Sequence, residues 1–217
     1  MPTIGIRQMM DRQPAGNSAL AAALTRLADA YASASEAHHR IMGDLTTTPA
    51  ARTVRSARHA KATLGPAVEA LQQARTLAAA TRADLMKNAA KVFSYSDAAD
   101  ALLAGEIRRH FATLASPERL AAVRTAIEAK DATTLRAIGA GPAYLSGLPA
   151  EMHEHARAVL IEADPAAKGV PDALRSLGEQ EAFAVLIEET VLQSMADLVD
   201  FVEADSLEQM AQAAVAA

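Results

Sequence analysis

The 217-residue chain contains no cysteine and no tryptophan, and aromatic residues make up only 3% of it, so large core anchors are scarce. Without cysteine there are no disulfides, no thiolate nucleophile and no thiolate metal ligand. No uninterrupted apolar stretch approaches the ~20 residues that a membrane-spanning helix needs. The opening run from Met1 to Arg7 lacks the continuous apolar core of a secretory signal. The expectation is an intracellular product, or one assembled inside a cell, with no membrane span.

Alanine is what the chain has in excess, at roughly a quarter of all residues. It is the best helix former because it loses no rotamer freedom, yet it buries little apolar surface. Such a composition predicts an all-α fold of closely spaced helices. Charge is divided unevenly along it. Residues 1–91 hold twelve Lys+Arg against six Asp+Glu, a balance of +6. Residues 92–217 hold nine against twenty, a balance of −11. A basic half attracts anions, an acidic half repels them, and the two can attract each other.

Periodicity orders the chain into an N-terminal arm (1–16), an elongated basic helical hairpin (17–93) and a compact acidic helical bundle (94–217). In the arm, Ile4, Ile6, Met9 and Met10 offer packing surface to a neighbour before Pro14-Ala15-Gly16 breaks the pattern. Asn17 or Ser18 caps the first long helix. Its seam runs Leu20, Leu24, Leu27, Tyr31, Ala34, His38, Ile41 and Leu45, at heptad spacing. After a turn at Gly43–Pro49 a second long helix runs to about residue 92, with Pro66 either kinking it or opening a new helix. Beyond it, Leu102, Leu103, Ile107 and Phe111 are expected to face inward. Ser116-Pro117-Glu118 and Asp131 read as helix starts, and Tyr144, Leu145 and Leu148 as anchors of an irregular loop. A last long helix, starting near Asp172 or Glu179, buries Phe183, Ile187, Val191, Met195, Leu198 and Val202.

The stretch from Ala126-Ile127 through Asp131, Leu135-Arg136-Ala137-Ile138 and Pro142-Ala143-Tyr144-Leu145-Ser146-Gly147-Leu148 resembles a segment of poorly characterised helical proteins of tailed bacteriophages and prophages. The motif is a helix, a cap, a second helix and an anchored loop, so it carries over no functional residue. The resemblance implies a phage structural or assembly setting, and with it a location in the virion or the bacterial cytoplasm.

Chemistry-bearing clusters are few. Arg52, Arg55, Arg58, His59 and Lys61 sweep one half of a helix. They suit a solvated face, a dock for the acidic C-terminal helix, a protein partner, or phosphates bound through counterion release. No aromatic residues interleave them for base stacking. Glu188, Glu189, Asp197, Asp200 and Glu203 are read as an acidic interaction face. Glu151, His153, Glu154 and His155 are dense in metal ligands but lack zincin spacing, and a polar helix start explains them better. Gly139-x-Gly141 lacks the lysine of a phosphate loop, Ser146-Gly147 lacks a nucleophile elbow, and no carboxylate pair is placed across a pocket. No catalytic, metal or cofactor site is therefore expected. The sequence points to a non-enzymatic structural or assembly protein of a bacteriophage virion, working through helix-face contacts in a homo-oligomer or with other virion components. Nucleic-acid binding by the basic hairpin, with DNA as partner, is the alternative.

Overall fold

The computed structural model describes residues 2–216, with side chains described for residues 5–214, and among these the fold is all-α with no strand. In chain order the helices are α1 (Pro2–Met10), α2 (Ser18–Met42), α3 (Pro49–Lys91), α4 (Ala98–Thr113), α5 (Ser116–Glu128) and α6 (Ala132–Gly139). A one-turn 3-10 helix at Ala143–Leu145 precedes α7 (Ala150–Ala163), α8 (Val170–Leu198) and α9 (Phe201–Ala216). Two compact units result: Met1–Ala80 with Ser176–Ala217, and Thr81–Arg175. This division differs from the one drawn from charge, because the last acidic helices belong with the basic hairpin.

In the first unit α2 and α3 are antiparallel. His38 Nδ1 lies 2.8 Å from Ser56 Oγ, and Arg52 donates to the Met42 carbonyl at 2.8 Å. Running that register back sets Leu20 level with Ala74, Leu24 with Leu71, Leu27 with Ala67, Tyr31 with Leu64 and Ala34 with Ala60. All ten side chains are buried. Small residues opposite large ones let the two helices approach closely while the seam stays filled. Beyond Ala34 the seam thins: His38 and Ile41 are half-buried and Leu45 is exposed. Pro66 neither ends nor restarts α3, which continues through it. Both Pro66 and Ala62, whose carbonyl loses its usual donor, are exposed, so water can satisfy that carbonyl.

The third member of this unit is α8 with α9. The Asn17 amide donates to Gln180 Oε1, and fourteen residues further along both helices Tyr31 lies beside Ser194, so α8 runs parallel to α2. Against α3 the direction is opposite: Arg75 meets Glu188, Lys61 meets Asp205 and Arg58 meets Glu208. The shared core includes Leu24, Leu27, Leu71, Ile187, Val191 and Met195. Burying each large aliphatic chain contributes roughly 1.5–3 kcal/mol. Gln180 fits here because Gly16 has no side chain: a Cβ would fall 2.7 Å from Gln180 Oε1 and 2.9 Å from Ser176 Oγ. The expected arm is a helix packed on its own chain rather than on a neighbour, with Ile6 in the core and Met9 and Met10 against it; the Ile4 side chain lies outside the described residues. The acidic helix is also not continuous. It breaks at Val199-Asp200, where the Asp200 carboxylate accepts from the Glu203 amide at 2.8 Å, and Val202 on the far side is exposed rather than buried.

The second unit is centred on α6, whose Leu135, Ala137, Ile138 and Gly139 are all buried. Its core adds Phe93, Phe111, Val123, Leu148, Ala156 and Leu160. The inward side of α4 is Ala104, Ile107 and Phe111, so Leu102 and Leu103 are exposed where the sequence placed them inside. Alanine takes the contact because it permits closer approach than leucine. The loop after α6 is held by Ser146 and Leu148, while Tyr144 and Leu145 face out. Ala115 stands at the cap position expected of Ser116, and its amide donates to Glu118 at 3.3 Å. Asp131 caps α6 as expected, accepting from the Thr133 and Thr134 amides. Donation from the Thr134 hydroxyl holds its carboxyl below the usual carboxylate range.

Four arginines bind this unit together through main-chain carbonyls. Arg108 donates to Ala137, Arg136 to Val92 and Arg157 to Gly139, where Arg157 also stacks over the Phe93 ring. Arg119 donates to Phe111, Ala112 and Leu114 at the end of α4 and to Gly147 in the loop. Most of these carbonyls lie at or just beyond helix C-termini, where intrahelical donors run out and a cation is favoured by the helix dipole; Gly147 is the loop acceptor. Arg119→Ala is expected to cost about 2–3 kcal/mol in urea unfolding. Arg119→Lys should recover little of it, because one ammonium group cannot span four acceptors. Full recovery by lysine would show that charge alone matters.

Candidate functional site

The basic run on α3 is not a free cationic face. Arg58 pairs with Glu208, and Lys61 lies 2.6 Å from Asp205 with its ammonium 5.8 Å from the Phe201 ring centre. Arg52 is half-buried and caps the end of α2 through the Met42 carbonyl. The dock for the acidic C-terminal helices, one of the readings open from sequence, is thus built within the chain. Arg55 and His59 are exposed. With Arg40, Ile41 and Asp44 they line an open cleft of about 290 Å³ at the tip of the hairpin. Arg55 is only 3.8 Å from Asp44, a loose pair between exposed groups. The Thr46 hydroxyl and amide, ahead of the arginines, hold the Asp44 carboxyl below the usual range.

Nor do the five acidic candidates share a face. Glu188 points toward α3 and is mostly buried against Arg75, with side-chain exposures of 15% and 29%. Glu189, Asp197 and Glu203 are exposed, and Asp197 accepts from Gln193 at 2.9 Å. Asp200 is a helix cap. The sequence grouping failed because neighbouring residues on a helix lie about 100° apart, which separates Glu188 from Glu189.

What the outward side of α8 presents is apolar. Val185, Leu186 and Leu192 are 46%, 49% and 46% exposed, and Ala182 and Ala196 extend the same side. At about 100° per residue these five positions fall within one sector, together with Glu179, Glu189, Gln193 and Asp197. From Ser176 to Ala217 the sequence contains no Lys, Arg or His, so the charge this segment itself brings to the sector is acidic: Glu189 within it, and Glu179 and Asp197 along one edge. The three- and four-residue spacing of this second stripe is visible in the sequence, but the larger side chains of the Phe183–Met195 stripe mark the other side of the helix as the core.

His153 Nε2 lies 2.9 Å from the Gly141 carbonyl, which locates this histidine in loop packing. Among the described residues no three His, Asp or Glu side chains converge as metal ligands, and no helix is long and apolar enough to cross a membrane. His38, half-buried on the α2–α3 seam, has a pKa lowered from its ordinary 6.5 by burial and then by His39. Its folded state takes up a proton less readily than the unfolded chain does. The associated stability is present above pH 6.5 and lost as pH falls through the lower folded value. The urea midpoint of the first unit should therefore fall between about pH 7.5 and 5.5, and His38→Gln should flatten that slope. An unchanged slope in the variant would assign it elsewhere.

No family model, curated protein or solved structure matches this chain.

Proposed function

We propose that the protein is a non-enzymatic structural or assembly component of a bacteriophage particle, acting through helix-face contacts with other proteins. The observation that carries this reading is the exposed apolar sector of α8, on a unit whose ion pairs between α3 and α8–α9 are already made internally. Large apolar side chains grouped on one exposed helix side mark contact surfaces more often than isolated ones do. The phage setting rests on the resemblance of residues 126–148 alone. Attraction between the basic run of one copy and the acidic helices of another is not open to Arg58, Lys61 and Arg75, which are matched by carboxylates of the same chain. Of the basic run, Arg55 and His59 stay exposed for nucleic-acid binding, beside Arg40 at the hairpin tip, without stacking aromatics next to them.

Quantitative mass spectrometry of particles and assembly intermediates, purified from the strain that encodes the sequence, tests the proposal. The chain is expected in several copies per particle or intermediate. Its absence from both would contradict the reading.

A further inference from the structure

We infer that the outward sector of α8 is the docking surface for a basic amphipathic helix of a partner protein. The inference rests on the proposed role in assembly and names the chemistry of the partner.

The sector has the width and spacing that helix packing uses. Ala182, Val185, Leu186, Glu189, Leu192, Gln193 and Ala196 recur at three- and four-residue intervals, the ridge pattern of one helix side. Alanine at both ends allows close approach, and the three larger side chains between them supply the apolar contact. From Ala182 to Ala196 the sector is about 21 Å long at 1.5 Å per residue, three to four turns of a partner helix.

Its charge selects the partner. Glu179, Glu189 and Asp197 lie in or beside the apolar stripe, and no cation follows Arg175 in the sequence to offset them. Glu188, Asp205 and Glu208 are engaged with α3, so they are not what a partner meets. An incoming helix with leucine-type residues on one side and Lys or Arg beside them meets unlike charge at Glu189 within the stripe and at Glu179 and Asp197 along one border. An acidic helix of the same apolar pattern meets like charge, which costs association.

A second copy pairing through the same face fits poorly. Symmetry brings Glu189 and its acidic neighbours of one copy against the same groups of the other, with no basic residue after Arg175 on α8 or α9 to separate them. The exposed sides of α2 and α3 in this unit are mostly polar, carrying Thr25, Arg26, Asp29, Gln72 and Gln73. They offer no matching apolar stripe.

The test uses the full chain and two synthetic helical peptides of about 21 residues, one with leucine–lysine heptads and one with leucine–glutamate heptads. Binding is read by fluorescence anisotropy at about 0.15 M salt, where loose surface attraction is screened. The lysine peptide should bind saturably and the glutamate peptide should not. Leu186→Ser combined with Leu192→Ser should weaken binding roughly tenfold or more, and Glu189→Lys several-fold, with helicity by circular dichroism unchanged. Three results overturn the inference: no saturable binding of the lysine peptide, equal binding of both peptides, or binding indifferent to the Leu186/Leu192 change. Sedimentation of the unliganded chain supplies a fourth. Self-association that the same double substitution abolishes would assign the face to a second copy. Failure here, with the chain still found in particles, removes the basic-helix partner and leaves the assembly role standing.

Discussion

Ile187→Ala is expected to remove about 2–5 kcal/mol of stability, while Leu186→Ala, one residue earlier, should change it by less than about 0.5 kcal/mol. Both lose a comparable branched aliphatic side chain and both gain in helix propensity, so composition and local preference do not separate them. Burial does. Ile187 is fully buried among Leu, Val and Met side chains of the first unit, so truncation leaves a void that the packed seam fills only in part. Leu186 is half exposed on the outward sector, where water already covers much of what is removed. Urea unfolding of the two variants at one pH gives the comparison. Equal losses would mean that α8 is rotated from the orientation described.

Arg75→Glu should cost roughly 2–4 kcal/mol, far more than the same reversal at Arg55. Arg75 and Glu188 are more than two-thirds covered by the helices around them, so each charge has given up much of its hydration. Removing the cation leaves a carboxylate without that compensation, and reversing it adds a second carboxylate beside the first. Arg55 is exposed and its partner Asp44 is at the long limit of an ion pair, so salt and water already absorb most of that interaction. The contrast separates a charge built into a helix interface from one on a solvated surface.

Much of this molecule can be read from sequence because helices write their period along the chain. The α2 seam, the caps at Asn17 and Asp131, the turn after Met42 and the end of α7 before Asp164-Pro165 all follow from local chemistry. The errors have physical causes as well. Side-chain size alone points Leu102, Leu103 and Val202 inward, yet all three are exposed. In an alanine-rich chain the contact often goes to the smaller neighbour, as with Ala104 and Ala204. The arginines of the second unit left no sequence signal, since a main-chain carbonyl as acceptor carries no residue type. The +6/−11 charge split was visible, but whether unlike halves meet within one chain or between chains is decided by tertiary register. That register is set by Gln180 at Gly16 and by the break at Asp200, positions whose importance appears only once the helices are in place.

That α3 docks on the acidic helices of its own chain is tested most directly by a double-mutant cycle on Arg75 and Glu188. Arg75→Glu and Glu188→Arg should each destabilise the protein, and the exchanged pair should recover most of the combined loss, giving a coupling energy of at least about 1.5 kcal/mol. Additive losses, with no recovery on exchange, would contradict the docking of α3 against α8.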